Sequence, residues 1–123
     1  MRKIAITGAA GFLGKHLCSL LSESDQILAL DLHPKSSDLP YDYQQLSNEL
    51  SLNDSLKAFQ PDLCIHAAFI NRKPQDWHDS TYLNRMSTLN FELCQTLYDI
   101  ECSLLLVSSS AVYGNGGHTE SID

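Results

Sequence analysis

The sequence predicts an α/β protein: a Rossmann-type, doubly wound parallel sheet with strand order 3-2-1-4-5, cut off after its fifth strand. Three observations carry this reading. Short apolar runs alternate with helix-periodic stretches along the 123 residues. A glycine-rich turn, Thr7-Gly8-Ala9-Ala10-Gly11-Phe12-Leu13-Gly14, joins the first apolar run to the first helical stretch. Finally, Asp31, Ala67-Ala68 and Ser108-Ser109-Ser110 fall at the ends of later runs. In a parallel sheet those ends share one edge with the turn, and that edge is where ligands bind.

Each element has its own signal. Residues 3–7 read as the first strand. Leu13, Leu17, Leu20 and Leu21 recur at helical spacing and give the first helix one apolar stripe. Residues 27–30 form a second apolar run ending at Asp31, and His33-Pro34 opens a loop that lasts to Pro40. Residues 43–46 are expected to form a short third strand. Leu52, Leu56 and Phe59 mark a short amphipathic helix stopped by Pro61. Residues 63–68 are nearly all apolar, as suits a strand covered on both faces. Residues 71–79 are polar, contain Pro74 and read as a loop. Tyr82, Met86, Leu89, Leu93, Leu97 and Ile100 then define a long helix with one core face. Residues 104–107 form the last strand.

Composition narrows the class. The chain is 43% hydrophobic, which suits a folded domain. Its net charge is −7, and it has no basic run, so nucleic acid is not an expected partner. No apolar stretch reaches the length of a membrane span, and the N-terminus is a strand, not a cleavable leader. Cys18, Cys64, Cys94 and Cys102 lack C-x-x-C spacing and sit in apolar segments. They are expected to be buried thiols of a protein in the reducing cytoplasm, not disulfides or metal ligands.

The glycine turn carries the chemistry. Its backbone N–H groups and those of the helix's first turn converge where the helix dipole favours negative charge, which makes a phosphate site. Gly8 is expected to make the tight turn, Gly11 to let a pyrophosphate approach, and Gly14 to bring the helix close to the sheet.

Three motifs together resemble the extended short-chain dehydrogenase/reductase family, in its NAD-dependent epimerase/dehydratase branch. They are Thr7-Gly8-x-x-Gly11-x-x-Gly14, Asp62-Leu63-Cys64-Ile65-His66-Ala67-Ala68 and Ser108-Ser109-Ser110-Ala111-Val112-Tyr113-Gly114. The resemblance spans essentially the whole chain. It implies an oxidoreductase acting on nucleotide-sugars, with NAD as cofactor and NADP as the less favoured one. The family's Tyr-x-x-x-Lys pair is absent, since none of the five tyrosines has a lysine four residues on. Residues 1–123 are therefore expected to be an incomplete dinucleotide-binding domain without the substrate lobe. They form part of a longer enzyme or a truncated paralogue, with little or no turnover alone.

The resemblance also assigns residues. Gly8, Gly11, Phe12, Leu13 and Gly14 would hold the pyrophosphate. Asp31, with Leu32 beside it, would accept the adenosine ribose hydroxyls and repel a 2′-phosphate, although Lys35 lies close enough to soften that preference. Glu49-Leu50 would lie beside the adenine. Ala67, Ala68 and Phe69 would line the cofactor groove, and Asn84 would support it by hydrogen bonds. Ser109, four residues before Tyr113, would be the catalytic hydroxyl. His66 reads as a hydrogen-bonded structural residue. The alternative is a non-catalytic dinucleotide-binding or interaction module, self-associating through the exposed edge of the fifth strand.

Overall fold

A computed structural model describes residues 1–68 and 80–107. β1 (Lys3–Thr7) is the central strand of a five-stranded parallel sheet. β2 (Gln26–Asp31) and β4 (Leu63–His66) flank it, and β3 (Asp42–Gln45) and β5 (Ser103–Leu106) lie outermost. The order is β3-β2-β1-β4-β5, as the alternation of elements predicts. The chain winds outward from β1 in both directions, so the switch point lies between β1 and β4, at their carboxyl ends.

The pleat of β1 divides the core. Ile4 and Ile6 face one side with Cys18, Ile27, Ala29 and Ile65. Ala5 faces the other with Leu30, Leu56, Cys64, Leu93 and Leu97. α1 (Phe12–Leu21) covers the first face. Gly14 and Cys18 are its buried residues, with Leu17 and Leu21 packed beside them. Leu13 and Leu20, expected in that stripe, are exposed. Small residues at 14 and 18 bring the helix axis close and rotate the leucines at 13 and 20 outward.

α2 (Ser51–Phe59) and α3 (Ser80–Asp99) cover the second face. The Thr96 hydroxyl donates to Asn53 Oδ1 at 2.8 Å and ties the two helices together. α2 ends at Gln60, whose left-handed backbone (φ 54°) turns the chain into Pro61. On α3 only Leu93, Thr96 and Leu97 are buried. Met86 and Leu89 are half-buried, so the single core face expected of this helix is sealed only in its second half.

All four residues of β5 are exposed. The expectation for the cysteines holds at two positions and is corrected at two. Cys18 and Cys64 are buried, and burial pushes both thiols up to about 12, but Cys94 is exposed and Cys102 is half-buried. The cysteine at 94 is one position past Leu93, which places it off the core stripe.

Candidate functional site

The carboxyl ends of β1, β2 and β4 open into a cleft of about 1110 Å³. Its base is the glycine turn. Gly8 takes a left-handed backbone (φ 69°), and a Cβ there would lie 2.8 Å from the backbone of Ala67 and Ala68. A Cβ on Gly14 would lie 2.1 Å from the Gly8 carbonyl oxygen. The turn is thus wedged between β4 and α1 with no room for a side chain at either point. Gly14 brings α1 against the turn itself rather than against the sheet, which refines the expected role.

This packing leaves donors exposed to the cleft. Gly11 caps α1 with extended backbone and no side-chain hydrogen bond, and no acid occupies the helix's first turn. The first intrahelical bond is Lys15 N–H to the Gly11 carbonyl at 2.9 Å. The N–H groups of Phe12, Leu13 and Gly14 therefore precede the helical ladder, and these three residues line the cleft. The Phe12 side chain is 83% exposed and lies 4.6 Å from the His16 ring, centroid to centroid. The side chain therefore packs outside the core.

Asp31 forms the wall on the β2 side. Its Oδ2 accepts the Ala10 N–H at 2.9 Å, and its Oδ1 accepts the N–H of His33 and the His33 ring Nδ1, each at 2.9 Å. Burial alone would raise this carboxyl's pKa. The N–H groups of His33 and Ala10 outweigh burial and hold it below the ordinary carboxylate value. Leu32 follows in the same wall, where its carbonyl accepts from Gln45 Nε2 at 3.2 Å.

Thr7, His66, Ala67 and Ala68 form the opposite wall. The Thr7 hydroxyl lies 2.7 Å from His66 Nδ1 and accepts the Ala68 N–H at 3.1 Å. This clasp joins the ends of β1 and β4 and holds Ala67-Ala68 against Gly8. Burial lowers the pKa of His66, favouring the neutral ring. No group of three or more metal-ligating side chains occurs among the described residues.

The adenine-side assignment needs correction. Glu49 lines the cleft, paired with Arg85 of α3. Leu50 is 54% exposed and lies outside the lining. The apolar residues that line the cleft around Glu49 are Leu46 and Leu52, both buried, and the Leu46 N–H donates to the Asp31 carbonyl at 2.7 Å. β3 ends at Gln45, so Leu46 is the residue that turns in at the strand's end, and position 50 is already at the start of α2. Asn84 is exposed and does not line the cleft. Phe69 and Ser109 lie outside the described residues.

A dinucleotide fits this set of groups. Uncapped helix amides meet the needs of a diphosphate, the backbone is bare where a Cβ would intrude, and an ionised carboxylate stands at the end of β2.

The sequence matches the model of the NAD dependent epimerase/dehydratase family over residues 4–123. A GDP-6-deoxy-D-talose 4-dehydrogenase from Aggregatibacter actinomycetemcomitans is 28% identical over 116 residues, covering 91% of this chain and 37% of that protein. The UDP-glucose 4-epimerase of Brucella ovis, solved in complex with NAD, superposes with a TM-score of 0.79 at 19% identity, over 97% of this chain and 39% of that one. WbmH of Bordetella bronchiseptica, solved with NAD+, gives 0.73 at 21% identity, over 93% and 41%. The chain thus spans about 40% of the length of these proteins. The two structures share its fold, and the family model matches all but its first three residues: the chain belongs to the NAD dependent epimerase/dehydratase family.

Proposed function

We propose that this chain is the NAD-binding part of a nucleotide-sugar epimerase/dehydratase-type oxidoreductase. One observation carries the reading: the residues bearing the uncapped amides of α1 line the same cleft as Asp31, beside a turn with no room for a side chain at Gly8 or Gly14. The amides of Phe12, Leu13 and Gly14 would hold the diphosphate. Asp31 would accept ribose hydroxyls, which favours NAD over NADP because a 2′-phosphate there meets a second anion. Ala67 and Ala68 would form the smooth wall beside β4. The neighbours solved with NAD support the choice of cofactor.

When bound, the nicotinamide supplies hydride transfer; the protein's part here is to bind and orient it. Ser109 is proposed as the hydroxyl that hydrogen-bonds the reacting oxygen of the substrate. With no Tyr-x-x-x-Lys pair, the chain alone is expected to show little or no turnover. Calorimetric titration with NAD tests the binding reading, and wild-type chain that gives no heat defeats it. A nicotinamide-fluorescence assay with nucleotide-sugars tests the second, and brisk turnover by the chain alone defeats that.

A second reading rests on β5. Leu104, Leu105 and Leu106 are all exposed on an edge strand. An edge of this kind pairs with other chains, as in a non-catalytic module that self-associates. Sedimentation over a range of concentrations separates the two readings.

A further inference from the structure

We infer that His33 is a selectivity residue that relaxes the preference of Asp31 for a nucleotide without a 2′-phosphate; the inference rests on the dinucleotide reading above. The argument is a count of lone pairs. A carboxylate oxygen offers two in-plane acceptor positions. At Oδ1 both are taken, one by the His33 N–H and one by its ring Nδ1. At Oδ2 one is taken by the Ala10 N–H. One position remains, whereas a ribose diol asks for two.

The His33 ring is the group that can yield. The backbone around it is pinned from β3: Tyr43 Oη donates to the His33 carbonyl at 2.7 Å, and Gln45 Nε2 donates to the Leu32 carbonyl. The side chain is 79% exposed and rotates without disturbing either bond. Because Asp31 is ionised and can only accept, Nδ1 carries a proton and the ring is a donor. With NAD, the ring must leave Oδ1 for the second hydroxyl to bind. With NADP, the same donor stands beside Asp31, where it can bond a 2′-phosphate and screen the carboxylate. His33 lines the cleft, whereas Lys35, the cation expected to soften the preference, does not.

Calorimetric titration of the full chain with NAD and with NADP provides the test. Wild type is expected to bind both, NAD the more tightly. His33→Ala is expected to tighten NAD and weaken NADP, widening their affinity ratio by about fivefold, the effect of roughly one hydrogen bond. His33→Asn places an amide donor where Nδ1 stands and is expected to retain the wild-type ratio. An unchanged ratio in His33→Ala, an Asn variant that behaves like the Ala variant, or wild type with no measurable NADP binding would each overturn the role of His33. Wild type that binds neither nucleotide defeats the dinucleotide reading itself, which separates the two failures.

Discussion

β1 and β5 belong to one sheet, yet they sit in opposite environments. Ile4, Ala5 and Ile6 of β1 are fully buried, with neighbours on both faces and both edges. Leu104, Leu105 and Leu106 of β5 are each at least 38% exposed, and among the described residues only β4 pairs with that strand. Both are short apolar segments. The difference lies in topology: β1 is at the centre of the sheet, and among the described residues β5 is at its edge. The cleft follows the same gradient. The glycine turn and the Thr7–His66 clasp adjoin β1, where a Cβ at Gly8 or Gly14 would meet backbone within 3 Å.

Core truncation tests this contrast most strongly. Leu56→Ala, which empties a fully buried position over β1 and β4, is expected to cost about 2–5 kcal/mol. Leu105→Ala on β5 is expected to cost less than about 1 kcal/mol. Urea unfolding of both variants decides it, and equal losses would break the comparison.

Gly14→Ala sharpens it at the site. The new Cβ meets backbone at 2.1 Å, so the turn must shift. We expect a stability loss of about 1–3 kcal/mol, as for overpacking, and loss of NAD binding by calorimetry. Retained affinity would mean that the turn has slack which the contacts do not reveal.

A smaller effect concerns pH. The His66 pKa is lowered in the folded chain from its ordinary 6.5, so the unfolded chain binds the proton more readily. Stability is therefore full above that value and declines as pH falls below it, by at most about 1.4 kcal/mol per pH unit, levelling off below the folded pKa. His66→Gln, which cannot titrate, should remove that part of the slope in urea midpoints measured from pH 7.5 to 5.5.

The smallest effect is chemical. Cys94 should react with a thiol reagent within the native chain, whereas Cys18 and Cys64, buried and held protonated, should react only on unfolding. Mass spectrometry of partly labelled protein reads the order directly.

The gradient also explains what was legible in the sequence. The strands near β1 announce themselves because each is an apolar run flanked by turn residues, and alternation together with the dinucleotide-type glycine turn after the first strand points to the observed order. The phosphate turn was legible because glycine spacing reports a backbone requirement. That Leu46 and not Leu50 lines the cleft is not legible: Tyr43-Gln44-Gln45 is too polar to mark where β3 ends, and the residue that turns in there is defined by that end. Asn84 was expected in the site from the resemblance alone, with no signal of its own in the sequence pattern, and this residue is exposed and off the cleft. The open edge of β5 follows from its outermost place in the strand order, but the exposure of its leucine side chains does not, because an apolar run records a preference for burial without naming what provides it. His33 passed as a loop residue. A donor two positions after a strand-ending aspartate was the available clue.

Asp31 has one more consequence. By gripping Ala10, it wires the exit of β2 to the loop that precedes α1. A molecule tugging the carboxylate therefore also adjusts the loop that cradles its other half. Two fragments offered separately, such as a nucleoside and a bare diphosphate, should sense one another across the gap, and their affinities should not simply sum.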